Sequence, residues 1–230
     1  VRGIISSLGE IIPFSHILRK EAQQMSNCCC TNVQINPGNS EIGLKEAREL
    51  YDKLLALNET PWDGKEDTRR WHPLANIAIG LGIAKKTDEG HIGSPVCLRG
   101  NICDLNMDDA GEITISQDDA WTPNVKIWEK VANTYAPHCE VYYNCEEPGC
   151  DVFWTNDPDV LNEQPYYVDI WEGKNGVPED THYCGKAACM KILQKFTGNP
   201  SSDIEILVQA AEELDGISVH SYRYVPISAT

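Results

Sequence analysis

The chain has 230 residues, 41% hydrophobic and 23% charged, with a formal net charge of −16; that balance excludes disordered and membrane-embedded classes and leaves room for one substantial core or two small ones. Its longest apolar stretches, Leu74 to Ala84 and Ile204 to Ala211, are the size of core helices and fall far short of the roughly 20 residues that cross a bilayer. The charge is concentrated: residues 101–182 hold 18 acidic side chains against three basic ones, Lys126, Lys130 and Lys174, a field that repels nucleic-acid backbones and anionic membranes and favours basic partners, besides serving solubility.

Residues 1–24 read as an N-terminal helical appendage ahead of Met25, which has the look of a natural start. The apolar side chains Ile4, Ile5, Leu8, Ile11, Ile12 and Phe14 are interrupted by Gly9, Glu10 and Pro13, and no small-residue cleavage site follows, so they do not read as a secretory signal. Cys28 to Asn36 alternates as a strand, and Pro37-Gly38-Asn39 breaks it. From Ser40 to Leu57 the residues Leu44, Ala47, Leu50, Tyr51, Leu54 and Leu55 recur at helical spacing. A polar loop leads to an inserted helix over Trp71 to Lys86.

Val96 to Met107 and Glu112 to Asp118 read as two strands around the turn Asp108-Asp109-Ala110-Gly111. Thr122-Pro123 predicts a capped helix start, with Val125, Trp128, Val131 and Tyr135 on the buried face and Pro137 past the end. A last hairpin pairs Glu140 to Asn144 with Val152 to Thr155 across Pro148-Gly149. The order of these elements is the split β-α-β pattern of ferredoxin-like folds, so the expected class is α+β, with that core over residues 25–158. Beyond it, a strand at Tyr166 to Ile170, a helix at Tyr183 to Phe196, a helix capped by Ser202 and Glu205, and a strand at Ile217 to Val225 predict a β-α-α-β extension over 159–230 that packs on the sheet or extends it.

Met25-Ser26-Asn27-Cys28 before the first strand, Asp119-Ala120-Trp121-Thr122-Pro123 at a helix entry, Tyr142-Tyr143, and Glu147-Pro148-Gly149-Cys150 in a hairpin together resemble the Api-like proteins, a ferredoxin-like-fold family carried by phages and mobile elements. The resemblance covers roughly Met25 to Asp157. It implies the fold and a bacterial or phage cytoplasm; it carries over no catalytic residue, and the cysteine-rich start and long tail depart from the family's pattern.

The ten cysteines lack metal-ligand spacing: there is no C-x₂-C pair and no iron–sulfur run. Buried free thiols are the default reading. Cys145 and Cys150 flank the hairpin turn and suggest a cross-strand pair, or with Cys139 a half-site for zinc. Cys184 and Cys189 read as sharing one helix and pointing to different faces. Nucleotide-binding and hydrolase signatures are absent, and no cofactor is expected.

Three acidic pairs, Asp108/Asp109, Asp118/Asp119 and Glu146/Glu147, read as solvated strand ends rather than catalytic dyads, which need two carboxyls in unlike environments. Asp118, Asp119 and Glu147 could in principle hold a divalent cation. With aromatic side chains interleaved among the acids, the preferred expectation is a non-enzymatic interaction protein whose acidic face binds a basic protein partner, with aromatic anchors inside a charged rim. Its candidate contact residues are Asp118, Asp119, Trp121, Glu146, Glu147 and Trp154. Neither direct nucleic-acid contact nor a membrane is expected. The alternative is a small metal-dependent hydrolase with a site built from carboxylates and some of the six histidines.

Overall fold

Alternation along Cys28–Asn36 is the starting point of the architecture. In the computed structural model, which describes residues 28–60, 72–86, 92–94, 97–120 and 123–227, this segment forms strand β1, with Cys29, Thr31, Val33 and Ile35 buried and the residues between them turned to the other face. The expected appendage over residues 1–24 lies outside the described residues, as do Trp121 and Thr122.

Pro37 and Gly38 end the strand, and Ser40 caps helix α1 (Glu41–Asn58) by accepting a hydrogen bond from the Gly43 amide at 3.1 Å. Helix α2 (His72–Gly80) is followed by a short hairpin of β2 (Lys85–Lys86) and β3 (Ile92–Gly93). Strands β4 (Gly100–Met107) and β5 (Ile113–Ala120) join through the expected turn, where Gly111 takes φ +86°, a conformation that glycine adopts without steric cost. Helix α3 (Val125–Tyr135) leads to β6 (Glu140–Glu147) and β7 (Val152–Thr155), linked by a 3₁₀ turn at Pro148–Cys150 with Asp151 left-handed at φ 53°. Helix α3 starts later than Thr122-Pro123 predicts: its N-cap is Asn124, whose side chain makes no cap hydrogen bond.

The chain then forms α4 (Pro158–Glu163), β8 (Tyr166–Ile170), β9 (Asp180–Cys184), α5 (Lys186–Thr197), α6 (Ile204–Glu212), β10 (Ile217–Ser221) and β11 (Arg223–Tyr224). Strand β9 is unanticipated. It takes Tyr183 and Cys184 out of the expected helix, which begins only at Lys186 after Gly185. The cap of α6 is Asp203, accepting from the Glu205 amide at 3.0 Å, in place of the expected Ser202.

The fold is mixed α+β. Its six-stranded sheet has the order β11-β7-β6-β1-β5-β4, antiparallel throughout except for β11 beside β7. From β1 the chain crosses by way of α1 and α2 to β4, and from β5 by way of α3 to β6; each crossover joins strands that run the same way with one opposed strand between them. Side chains of α1, α2 and α3 share one apolar core with the inward residues of the sheet: Leu50 and Leu54 from α1, Leu74 and Ile77 from α2, Ile127, Trp128 and Val131 from α3, and Val33, Ile35, Ile113 and Ile115 from the strands. The three helices therefore cover one sheet face. A second sheet, β10-β8-β9, packs with α5 and α6 around a separate core of Val168, Ile170, Leu193, Phe196, Leu207 and Ile217. None of the helices among the described residues is long and apolar enough to cross a membrane.

One carboxylate ties the first core together. Asp119, fully buried at the end of β5, accepts hydrogen bonds from Thr31 Oγ1 (2.7 Å), Gln117 Nε2 (2.8 Å), the Asn124 amide (2.9 Å) and Asn124 Nδ2 (2.7 Å). Gln117 in turn accepts the indole N–H of fully buried Trp128 at 2.8 Å. Strands β1 and β5 and the entry of α3 thus converge on a single buried charge, and a carboxylate at a helix entry also suits the helix dipole. Gly100, the cross-strand neighbour of Asp119, leaves it the space: a Cβ there would lie 2.3 Å from Asp119 Oδ1.

Asp119→Ala should strand three sets of buried donors and cost about 3–5 kcal/mol, read from the urea midpoint. Gly100→Ala should destabilise the native chain clearly but add little on top of Asp119→Ala, because both act on the same carboxylate. Full additivity of the two would contradict this account.

Candidate functional site

The helix-free face of the large sheet is polar, because the residues between the apolar positions of the strands are polar. Cys30, Asn32 and Gln34 of β1 stand between Asp118, Ser116 and Thr114 of β5 on one side and Glu146, Asn144 and Tyr142 of β6 on the other, in direct register. The second lobe docks over the β6–β7 end of this face. Phe153 of β7, 1% exposed, stacks on His220 with ring centroids 4.5 Å apart and meets Tyr167 at 5.2 Å and the edge of Tyr222 at 5.7 Å. Around this aromatic contact, Asp151 accepts from Arg223 at 3.0 Å and pairs with His220 Nδ1 at 2.9 Å.

Between the lobes lies a cleft of about 610 Å³. Its floor is Asn32, Asn144 and Glu146 with Cys30 beside them; its wall is Asp157, Asp159, Val160, Glu163 and Gln164 of the α4 region, closed by Tyr183 and Tyr222. Four carboxylates line it, and no lysine or arginine is among the described lining residues. Asp157 is fixed by its own role as N-cap of α4, accepting from the Asp159 amide at 2.8 Å.

Glu146 is the best-defined group of the cleft. Tyr183 donates to its Oε2 at 2.9 Å and Tyr222 donates to its Oε1. Burial raises its carboxyl above the ordinary value, and the Tyr183 hydrogen bond opposes that only in part. Burial, and after it the Glu146 carboxylate, pushes the Tyr183 phenol up, so it stays a donor. At the neighbouring position Cys30 donates to Asp118 at 3.8 Å. Burial and the Asp118 carboxylate push the Cys30 thiol up to about 12 and the Cys103 thiol up to about 11. Both therefore stay protonated at neutral pH, and neither has the thiolate character of a nucleophile.

The residues named from the sequence are divided between the two sheet faces. Asp118 and Glu146 lie on the helix-free face as direct neighbours of Cys30, and Glu146 lines the cleft. Asp119 does not: it is 0% exposed and saturated by its four hydrogen bonds, so a surface contact role does not fit its position. Glu147 is 8% exposed, with burial raising its carboxyl. Trp154 is half-buried against the first core and lines a smaller cavity of about 300 Å³ with Tyr143 and Ile227. Adjacent strand residues point to opposite faces, so Asp118/Asp119 and Glu146/Glu147 each send one member out and one in, contrary to the expectation that both face water, whereas Asp108 and Asp109, in the β4–β5 turn, are both exposed as expected. Trp121 lies outside the described residues.

The other constellations also come apart. Asp118 and Asp119 lie on opposite faces, and no group of three or more His, Cys, Asp and Glu side chains among the described residues is arranged to hold a metal ion. Cys145 is buried and Cys150 exposed in the turn, so they do not form the cross-strand pair; Cys145 stands beside Trp154 in the register. Cys184 and Cys189, read as two faces of one helix, instead meet in the second core, Cys189 donating to Cys184.

Sequence reasoning missed Asn32, Asn144, Asp157, Asp159, Glu163 and Tyr222. A signal existed for three of them: Asp157-Pro158 is a helix start, a capping acid before a proline at the first position, and it places Asp159 and Glu163 on one short helix.

Burial holds Asp119, Glu146 and Glu147 above their ordinary values of 3.8 and 4.5. A group whose pKa is higher folded than unfolded contributes stability that is fully present below the unfolded value and lost as pH rises through the folded one. The thermal midpoint, measured at high salt to screen the surface charge, should therefore fall as pH is raised from about 4 through these elevated values. The double variant Glu146→Gln/Glu147→Gln should flatten that slope; an unchanged slope would contradict the assignment.

Compared with protein-family models, curated proteins and solved structures, the chain finds no match in any of the three.

Proposed function

We propose that this chain is a non-enzymatic interaction protein on a ferredoxin-like frame, and that its inter-lobe cleft takes basic side chains of a protein partner. The observation that carries the reading is the cleft's composition: Glu146, Asp157, Asp159 and Glu163 face one space without a lysine or arginine among its described lining residues. Glu146 is partly buried there, which raises its carboxyl, and a cation that pairs with a partly buried carboxylate interacts more strongly than on an open surface. Tyr183, 47% exposed, offers a flat anchor of the kind that concentrates binding energy. The fold part of the proposal is supported by the strand order β6-β1-β5-β4 with helical crossovers on one face, the arrangement of a split β-α-β unit.

The Api-like resemblance implies a phage or mobile element and a bacterial cytoplasm as the setting of such a protein, and we propose both with it. A basic nucleic-acid enzyme or a basic toxin is the partner class. For the former, a row of carboxylates would stand in for phosphates.

The test is capture from bacterial lysate at low and high salt, comparing the native chain with Glu146→Gln/Asp157→Asn/Asp159→Asn/Glu163→Gln. A control with Glu205→Gln/Glu212→Gln/Glu213→Gln/Asp215→Asn carries the same charge change on exposed positions of the second lobe. The reading expects a basic protein bound at low salt, released at high salt, and bound at least about tenfold more weakly by the cleft variant alone, chiefly through the on-rate. Equal loss in both variants would reduce the effect to net charge, and no loss in either would overturn the role of the cleft.

A further inference from the structure

The fold brings two distant cysteines into contact inside the first core. Cys29 on β1 and Cys145 on β6 are 116 residues apart in sequence, both are 0% exposed, and their sulfurs stand 3.2 Å apart. Strand alternation selects this pair from the run Cys28-Cys29-Cys30. Only the middle residue turns inward, while Cys28 is half-buried and Cys30 is exposed on the other face beside Asp118. In the ladder Cys145 lies opposite Thr31, two positions from Cys29 on the same face, so the two thiols are diagonal neighbours. The sulfurs would need to approach by roughly 1 Å to reach bonding distance.

We propose that Cys29 and Cys145 are a redox modification site, joined by a disulfide that staples β1 to β6 when the chain meets a disulfide oxidant such as glutathione disulfide. The two thiols give up two protons and two electrons in forming the S–S bond. One molecule of glutathione disulfide takes them up and leaves as two molecules of glutathione. Exchange proceeds through a mixed disulfide on one of the two cysteines, which the other then displaces. Because both sulfurs are shut away from solvent, the bond forms while the chain folds or during opening of the β1–β6 ladder, not on the closed native surface.

The consequence is on stability. The link closes a loop that spans half of the chain, and a cross-link of that length removes much of the freedom of the unfolded state. The thiol contact of the second lobe, Cys184 with Cys189, encloses only a short loop and has less leverage of this kind.

The experiment is to refold the full chain in glutathione buffers of graded ratio, block the remaining thiols by alkylation, and map disulfides by mass spectrometry of unreduced peptides. The proposal expects a Cys29–Cys145 linked peptide, its loss on treatment with dithiothreitol, and a thermal midpoint higher by on the order of 5–10 °C in the oxidised form. Cys29→Ala and Cys145→Ala should each abolish that increment while leaving the reduced chain's circular dichroism unchanged. Mapping of the native sequence decides the question even where a variant fails to fold. Recovery of both cysteines as alkylated thiols under conditions that oxidise Cys184 and Cys189, or their linkage to Cys28, Cys30 or Cys150 instead, would overturn the assignment.

Discussion

The buried carboxylate of Asp119 is the constraint on which the first lobe depends. A charge without solvent must be surrounded by donors, and the donors recruited come from three separate elements: Thr31 on β1, Gln117 on β5 itself, and Asn124 at the entry of α3. Their positions fix the register of β1 against β5 and the point at which α3 leaves the sheet. Gln117 extends the constraint to the Trp128 indole, the largest fully buried side chain among the described residues. The burial that raises the Asp119 carboxyl outweighs all four hydrogen bonds, so the network specifies an arrangement at some cost in stability, the pattern of buried polar groups generally.

With three helices committed to one face by that core, the other face of the sheet is left with the polar half of each strand. The second lobe uses part of it. Phe153 and the rings of Tyr167, His220 and Tyr222 form the contact, and Glu146 sits at its rim with two tyrosine hydroxyls on its oxygens. The cleft follows from this geometry: a three-stranded lobe docked at one end of a wider sheet leaves a step, and the short helix α4 lines it with acids. Strand β11 then returns to the large sheet beside β7, so the chain enters and leaves the second lobe at the same edge.

The two inward cysteines illustrate how the same alternation separates chemistry from packing. Cys30 and Cys103 sit around Asp118 on the polar face, where desolvation and, after it, the Asp118 carboxylate keep their thiols protonated. Cys29 and Cys145 meet each other in the core, and Cys184 and Cys189 do so in the second lobe. None of these contacts follows the spacing rules by which metal or disulfide motifs are recognised.

The sequence by itself determined the elements whose residues carry a period or a breaker: β1 from its alternation, α1 from its apolar stripe and Ser40, the β4–β5 turn from Asp108 to Gly111, and the acidic excess of residues 101–182. It could not determine β9, because Asp180 to Cys184 is a mostly exposed strand with no apolar alternation to reveal it, held by its pairing with β8. Nor did it send Asp118 and Asp119, or Glu146 and Glu147, to opposite faces, because the strands it predicts stop at Asp118 and Asn144 and leave these acids as strand ends, while the observed strands run on to Ala120 and Glu147 and carry the alternation through them. Tertiary structure alone decided that Asp119 is a structural charge, that Glu146 faces a cleft, and that Cys29 finds Cys145. Each depends on residues far apart in the chain, and a local pattern records only what its own neighbours impose.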